Sequence, residues 1–158
     1  MTTISTTTTT IANAAFLQEV KESNCKLWVL LKDLRELNVA DETLENSKQF
    51  VTKLGELRDS IALEFSLEET YGFIDGVPQS SGLGLADAGK AKLQHRELYL
   101  QLHEICEEVE EAQYRGTIGR DLPIYFGAFE QFDDSLRAHE DFEAELIRSG
   151  LGARIADF

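Results

Sequence analysis

Cysteine and proline are scarce, with two of each in 158 residues. Cys25 and Cys106 lack the C-x-x-C spacing of a metal knuckle or redox pair, so they suit a reducing cytoplasm and supply no disulfide framework. Pro78 and Pro123 leave the intervening stretches free to run as helices. Basic side chains are also few: 15 Lys and Arg stand against 29 Asp and Glu, for a formal charge of -14. That balance argues against nucleic acid or an anionic membrane surface as partner, and acidic side chains are what hard cations prefer. No run reaches the roughly 18 unbroken apolar residues of a membrane span. The chain has no P-loop, no Rossmann glycine pattern and no Ser/His/Asp arrangement, so catalysis without a metal is not expected.

What is present suits one domain with a real core: hydrophobic residues make up 42% of the chain. The opening MTTISTTTTT carries seven threonines in ten residues, with no positive or apolar signal region, and reads as a disordered tail over 1–10. Helical spacing then predicts four long helices in residues 11–150, followed by a tail over 151–158. The first runs from Ile11 to Asn38 and the second from an N-cap at Asp41 to Phe73. IDGVPQSSGLG reads as a loop. The third helix runs from Leu85 to Arg115, with Gly116 as its stop, and the fourth from Ile124 to Ser149, ended by Gly150. Short connections make this an all-α, antiparallel up-down-up-down four-helix bundle.

Each predicted helix has one inward seam with steps of three and four. The first carries Leu17, Val20, Asn24, Leu27, Leu31 and Leu34; the second carries Phe50, Leu54, Leu57, Ile61, Glu64, Glu68 and Tyr71. The third carries Ala91, His95, Leu98, Leu102, Ile105 and Val109; the fourth carries Phe129, Phe132, Leu136, His139, Glu143 and Leu146. The seams turn polar only at Asn24, at Glu64 and Glu68, at His95, and at His139 with Glu143. Burying an unpaired ion costs several kcal/mol, against a total stability of about 5–15 kcal/mol. Protonated carboxyls bonded to the histidines, entering water or a bound cation would each compensate. A pair of divalent ions does so most completely, since it uses both the carboxylates and the imidazole lone pairs.

These segments resemble the hemerythrin-like, or HHE cation-binding, domain. EFSLEETYGFI is similar to its H-F-x-x-E-E segment, QHRELYLQL to E-H-x-x-L, HEDFEAELI to H-x-x-x-E, and NCKLWVLLKDL to the segment that opens with a helix-borne histidine. The resemblance implies an iron-binding bundle with two ions, manganese or a mixed pair being alternatives, that interacts with dioxygen, peroxide or iron. It makes His95 and His139 terminal ligands, Glu68 and Glu143 bridges, and Glu64 a terminal oxygen ligand. Asn24 stands where the family has histidine, Glu64 replaces another, and Tyr99 lies where some members carry a further imidazole. A histidine-poor set disfavours reversible oxygen carriage.

Other readings stay open. His139 with Glu143 also suits a hydrogen-bonded core pair, and His95 a satisfied core histidine. A seam through Leu63 and Leu67 would turn Glu64 and Glu68 to water. Asn24 fits best as a hydrogen-bond partner behind the ligands, Tyr99 as packing, and Glu69 as a solvent-facing or orienting group. Glu104, Glu107, Glu108 and Glu111 read as a solvated stripe, and His103 falls off the site. Trp28, Phe65, Phe129, Phe132 and Phe142 are expected in the core, forming a dry wall around any metal. An iron oxidase or peroxide scavenger of ferritin-like character, and a metal-free interaction module, are the competing functions.

Overall fold

The computed structural model describes residues 8–37, 44–78 and 88–156. They form mostly helix with one small sheet, in the order β1 (Thr8–Ala12), α1 (Ala14–Ser23), α2 (Cys25–Glu36), α3 (Leu44–Leu67), a π turn (Glu68–Gly72), β2 (Phe73–Pro78), α4 (Gly89–Arg115) and α5 (Ile118–Ala156). The helices pack as α4 on α5, α3 on α4, α1 on α5 and α2 on α3. Among the described residues no helix is long and apolar enough to cross a membrane. The predicted starts at Asp41 and Leu85 lie outside the described residues.

The end of the expected disordered tail, Thr8–Thr10, and the first predicted helix together form three elements. Thr8–Ala12 is an extended strand, a conformation that β-branched threonines favour. It pairs antiparallel with Phe73–Pro78, which the sequence pattern assigned to helix end and loop. Two residues of β2, Asp75 and Gly76, lie opposite Thr10, and Gly76 takes the positive φ of 73° that such a bulge needs. The Asp75 carboxylate then accepts from the Thr10 hydroxyl at 2.7 Å and from Lys92 at 2.7 and 2.9 Å. Asn13 caps α1 by accepting from the Phe16 N–H, and its own N–H donates to the Gly72 carbonyl. The helix breaks again at Asn24, whose backbone leaves the helical region.

Gly116 does end α4, in the left-handed conformation (φ 74°). Its N–H and that of Thr117 return to carbonyls of the last turn, as in a Schellman motif. The fourth helix is longer than its signals suggest. It starts at Ile118, carries Pro123 within it, where the missing N–H removes a backbone bond, and passes through Gly150 to Ala156. Gly150 is a contact point instead of a stop: a Cβ there would lie 2.6 Å from that of Ala14.

The core has two apolar parts. The larger joins α2 to α5 and includes Leu27, Phe50, Ile61, Leu102, Phe129 and Leu136. The smaller, at the strand end, gathers Leu17, Phe73, Ala88, Ala91 and Leu146. On every helix the residues between these two parts are the polar ones, so the seam interruptions form a charged layer between two apolar layers. Trp28, expected in the core, is instead 37% exposed.

Candidate metal centre

Three elements bring the layer together. Glu68 opens the π turn, His95 lies on α4, and His139 and Glu143 lie one turn apart on α5. All four side chains are buried, and one ligating atom from each falls within 4.8 Å of all the others. First-row ions hold N and O ligands at about 2.0–2.2 Å, so donors surrounding one ion stand at most about 4.4 Å apart, and these four would need to close in only slightly. This cluster could hold a metal ion.

Glu64 is buried in the same layer but faces elsewhere. Its Oε2 lies 3.2 Å from Lys21 Nζ, and its Oε1 accepts from Asn24 Nδ2 at 3.1 Å. The terminal-ligand role implied for Glu64 therefore meets oxygens already engaged. Asn24 acts as a hydrogen-bond partner behind the site. Leu63 is 64% exposed and Leu67 36% exposed, so the alternative seam points outward.

The π turn explains one departure from the predicted seam. A π turn takes one residue more than an α turn. The position that follows Glu68 inward is thus Gly72, packed under Leu17, while Tyr71 is 60% exposed. Pattern reading at fixed α-helical spacing places Tyr71 inside.

Around the imidazoles the arrangement suits ligation. His139 Nδ1 lies 2.7 Å from Gln94 Oε1. With Nδ1–H donated to Gln94, the Nε2 lone pair is directed at the Glu143 carboxylate, which it contacts. His95 Nε2 lies 3.0 Å from Glu68 Oε2 and 3.4 Å from Glu143 Oε1, and its Nδ1 faces Glu69 at 3.9 Å. Phe65 stacks on the His95 ring at 3.9 Å between centroids and meets His139 edge-on. Of the expected aromatic wall, Phe65 is the member at the imidazoles, joined by Phe73; Phe129 and Phe132 belong to the larger apolar part. Tyr99 stacks on His103 and lines a cleft of about 300 Å³ that reaches His95 between Phe65, Ser66, Glu69 and Arg96.

Two charged residues that pattern reading missed complete the layer. Lys21 Nζ lies 2.8 Å from Glu140 Oε2, 3.1 Å from Glu68 Oε1, 3.2 Å from Glu64 and 3.3 Å from Glu143 Oε1. A signal existed: Lys21 is four residues after Leu17 and three before Asn24, and Glu140 is four after Leu136. A long basic side chain reads as surface because it can snorkel, yet this one points inward.

Electrostatics follow from burial and these contacts. Burial lowers the Lys21 pKa, but Glu143, Glu140, Glu68 and Glu64 outweigh it and hold the ammonium charged. Burial pushes the Glu68 carboxyl up to about 7 although the His95 imidazole lies 3.0 Å away, and Glu140 to about 7 despite Lys21. Burial opposes ionisation of Glu143 too, but His139, His95 and the Lys21 ammonium beside it hold it well below the carboxylate range. Burial lowers His139, whereas Glu143 and Glu68 overcome burial at His95 and raise it to about 9. Even so, both Glu68 oxygens, Glu143 Oε2, Glu140 Oε1, His95 Nδ1 and His139 Nε2 are buried without a hydrogen bond. Buried polar atoms are normally satisfied, and this concentration of exceptions falls on the cluster that could hold an ion. Comparison with family models, curated proteins and solved structures finds no match to the chain.

Proposed function

We propose that this protein is a hemerythrin-like metal-binding protein, a bundle of four antiparallel helical arms around non-haem iron, which binds or senses dioxygen, peroxide or iron itself. The observation that carries the reading is the buried set Glu68, His95, His139 and Glu143, with polar atoms left unsatisfied among apolar walls. Two imidazoles with two carboxylates suit iron, manganese or zinc better than magnesium or calcium, which prefer all-oxygen sites. Bound iron would supply a Lewis acid and a one-electron redox couple. The chain's own residues would do the rest. Gln94 fixes the His139 tautomer, Phe65 covers one face of the His95 imidazole, and the cleft of about 300 Å³ at His95 would admit a small ligand.

Purified protein analysed for metal, then loaded with ferrous iron and exposed to air, tests the proposal. Bound iron, a charge-transfer absorption band and a metal-dependent rise in Tm are expected. Absence of all three removes the reading.

Lys21 favours one competing reading. An internal ammonium already neutralises part of the acidic layer, as a metal-free interaction module would require. In such a module the paired change His139→Ala and Glu143→Ala leaves stability unchanged or raised, because removing a whole buried polar group can be neutral or favourable. In a metal protein it abolishes stabilisation by the ion.

A further inference from the structure

We infer that Lys21 holds the place of a second cation, so that this centre takes one divalent ion beside a fixed ammonium instead of a pair of ions. The inference rests on the reading of the cluster as a metal centre, and concerns how many ions it takes.

Position is the first argument. The Lys21 ammonium touches an oxygen of each of four carboxylates, from Glu64, Glu68, Glu140 and Glu143, at 2.8 to 3.3 Å. Glu68 divides its oxygens, Oε2 towards His95 and Oε1 towards Lys21. That is how a carboxylate bridges two cations, and here one of the two is the ammonium. On Glu68, His95 faces the oxygen that Lys21 does not touch, so an ion taken up between Glu68 Oε2 and the imidazoles would leave Lys21 in place. A second ion bridging to Glu64 would need the point Nζ fills.

Charge is the second argument. Once an ion has displaced the protons held by Glu68, Glu140 and His95, four ionised carboxylates and one ammonium leave three negative charges from the protein in the layer. One divalent ion reduces this to one, which solvent at the half-exposed Glu140 and Asn24 edge can screen. Two ions would overshoot to a net positive charge, with an ammonium pressed against a metal in a low-dielectric interior. Without Lys21 the same two ions would balance the four carboxylates evenly. Asn24 adds to this: it occupies Glu64 Oε1 with a donor hydrogen, where a second ion would need an acceptor atom aimed inward.

Manganese(II) titration followed by electron paramagnetic resonance tests the inference. The wild-type chain should bind one Mn(II) with the six-line signal of an isolated ion. Lys21→Met should bind two, with the isolated-ion signal lost to coupling between neighbouring spins, and Lys21→Arg should return to one. Two ions in the wild-type chain, or a single ion in Lys21→Met, overturns the inference and leaves the metal reading intact. A wild-type chain that binds neither Mn(II) nor iron removes both. Lys21→Gln is read in the same way should Lys21→Met not fold. Failure of both to fold with excess Mn(II) also overturns the inference, since two ions should then replace the missing positive charge.

Discussion

Two buried acidic sites lie along α5, about 15 Å apart at 1.5 Å per residue, and they are built in opposite ways. At Asp133 the carboxylate accepts both prongs of the Arg35 guanidinium, at 2.7 and 2.8 Å, with Arg137 at 3.4 Å on the same group. Nothing there is left over. Ten residues on, Glu143 shares one oxygen among His95, His139 and Lys21, while its other oxygen and both of Glu68 have no hydrogen bond. Arginine offers a planar fork that one carboxylate can saturate; lysine offers a point charge that four carboxylates can share and none can exhaust. A saturated carboxylate fastens helices together. A buried carboxylate with unspent lone pairs beside imidazoles could hold an ion.

The contrast can be broken most severely at the ligands. His139→Ala with Glu143→Ala should abolish the stabilisation that ion gives, about 3–4 kcal/mol at metal concentrations of 100 to 1,000 times Kd, read by thermal unfolding with and without metal. Survival of the metal-dependent shift would place the ion elsewhere. Asp133→Ala should cost about 1–3 kcal/mol, less than a fully buried pair because Arg35 is partly exposed, and the loss should be equal with and without metal. A loss that changes with metal would show the two sites to be coupled. Gln94→Leu should weaken metal binding by about 10-fold or more while leaving the Arg35–Asp133 pair untouched, as expected when a ligand loses the group that orients it. Unchanged affinity in a binding titration would remove Gln94 from the site.

The smallest effect is in pH. In the metal-free chain His95 has its pKa raised to about 9 from an ordinary 6.5. A raised pKa means the stabilisation is complete below pH 6.5 and is lost as pH rises through 9. Tm of the metal-free protein should therefore fall by a few degrees across that window. Metal binding must displace the His95 proton, so affinity for the ion should rise over the same interval. A metal-free Tm that climbs between pH 6.5 and 9 would contradict the charge assignment of His95.

Most of the buried surface was legible because it repeats. Phe50, Leu54, Leu57 and Ile61, then Ala91 through Val109, then Phe129 through Leu146 are inward at the positions their spacing predicts. Glu68, His95, His139 and Glu143 were legible for the same reason, as polar residues in apolar phase. What was hidden depended on tertiary partners. Thr8–Ala12 is a strand only because Phe73–Pro78 lies beside it, 65 positions away at the Thr10–Asp75 bond. Asn24 ends a helix because its carboxamide has Glu64 to bind, a contact no local pattern encodes. Gly150 looks like a terminator until Ala14 is seen against it. Lys21 and Glu140 carry charges that hydropathy assigns to water, and only their mutual attraction across α1 and α5 brings both inward.

The contact between Lys21 and Glu143 spans 122 positions of the chain. Closure over so long a separation is among the slowest events in assembly, and on the ribosome it must wait for α5 to emerge. A nascent chain that already displays Lys21, Glu64 and Glu68 has no imidazole partner from α5 and no way to shut the layer. Any ion that the layer holds would thus be captured only after α5 has been made and docked.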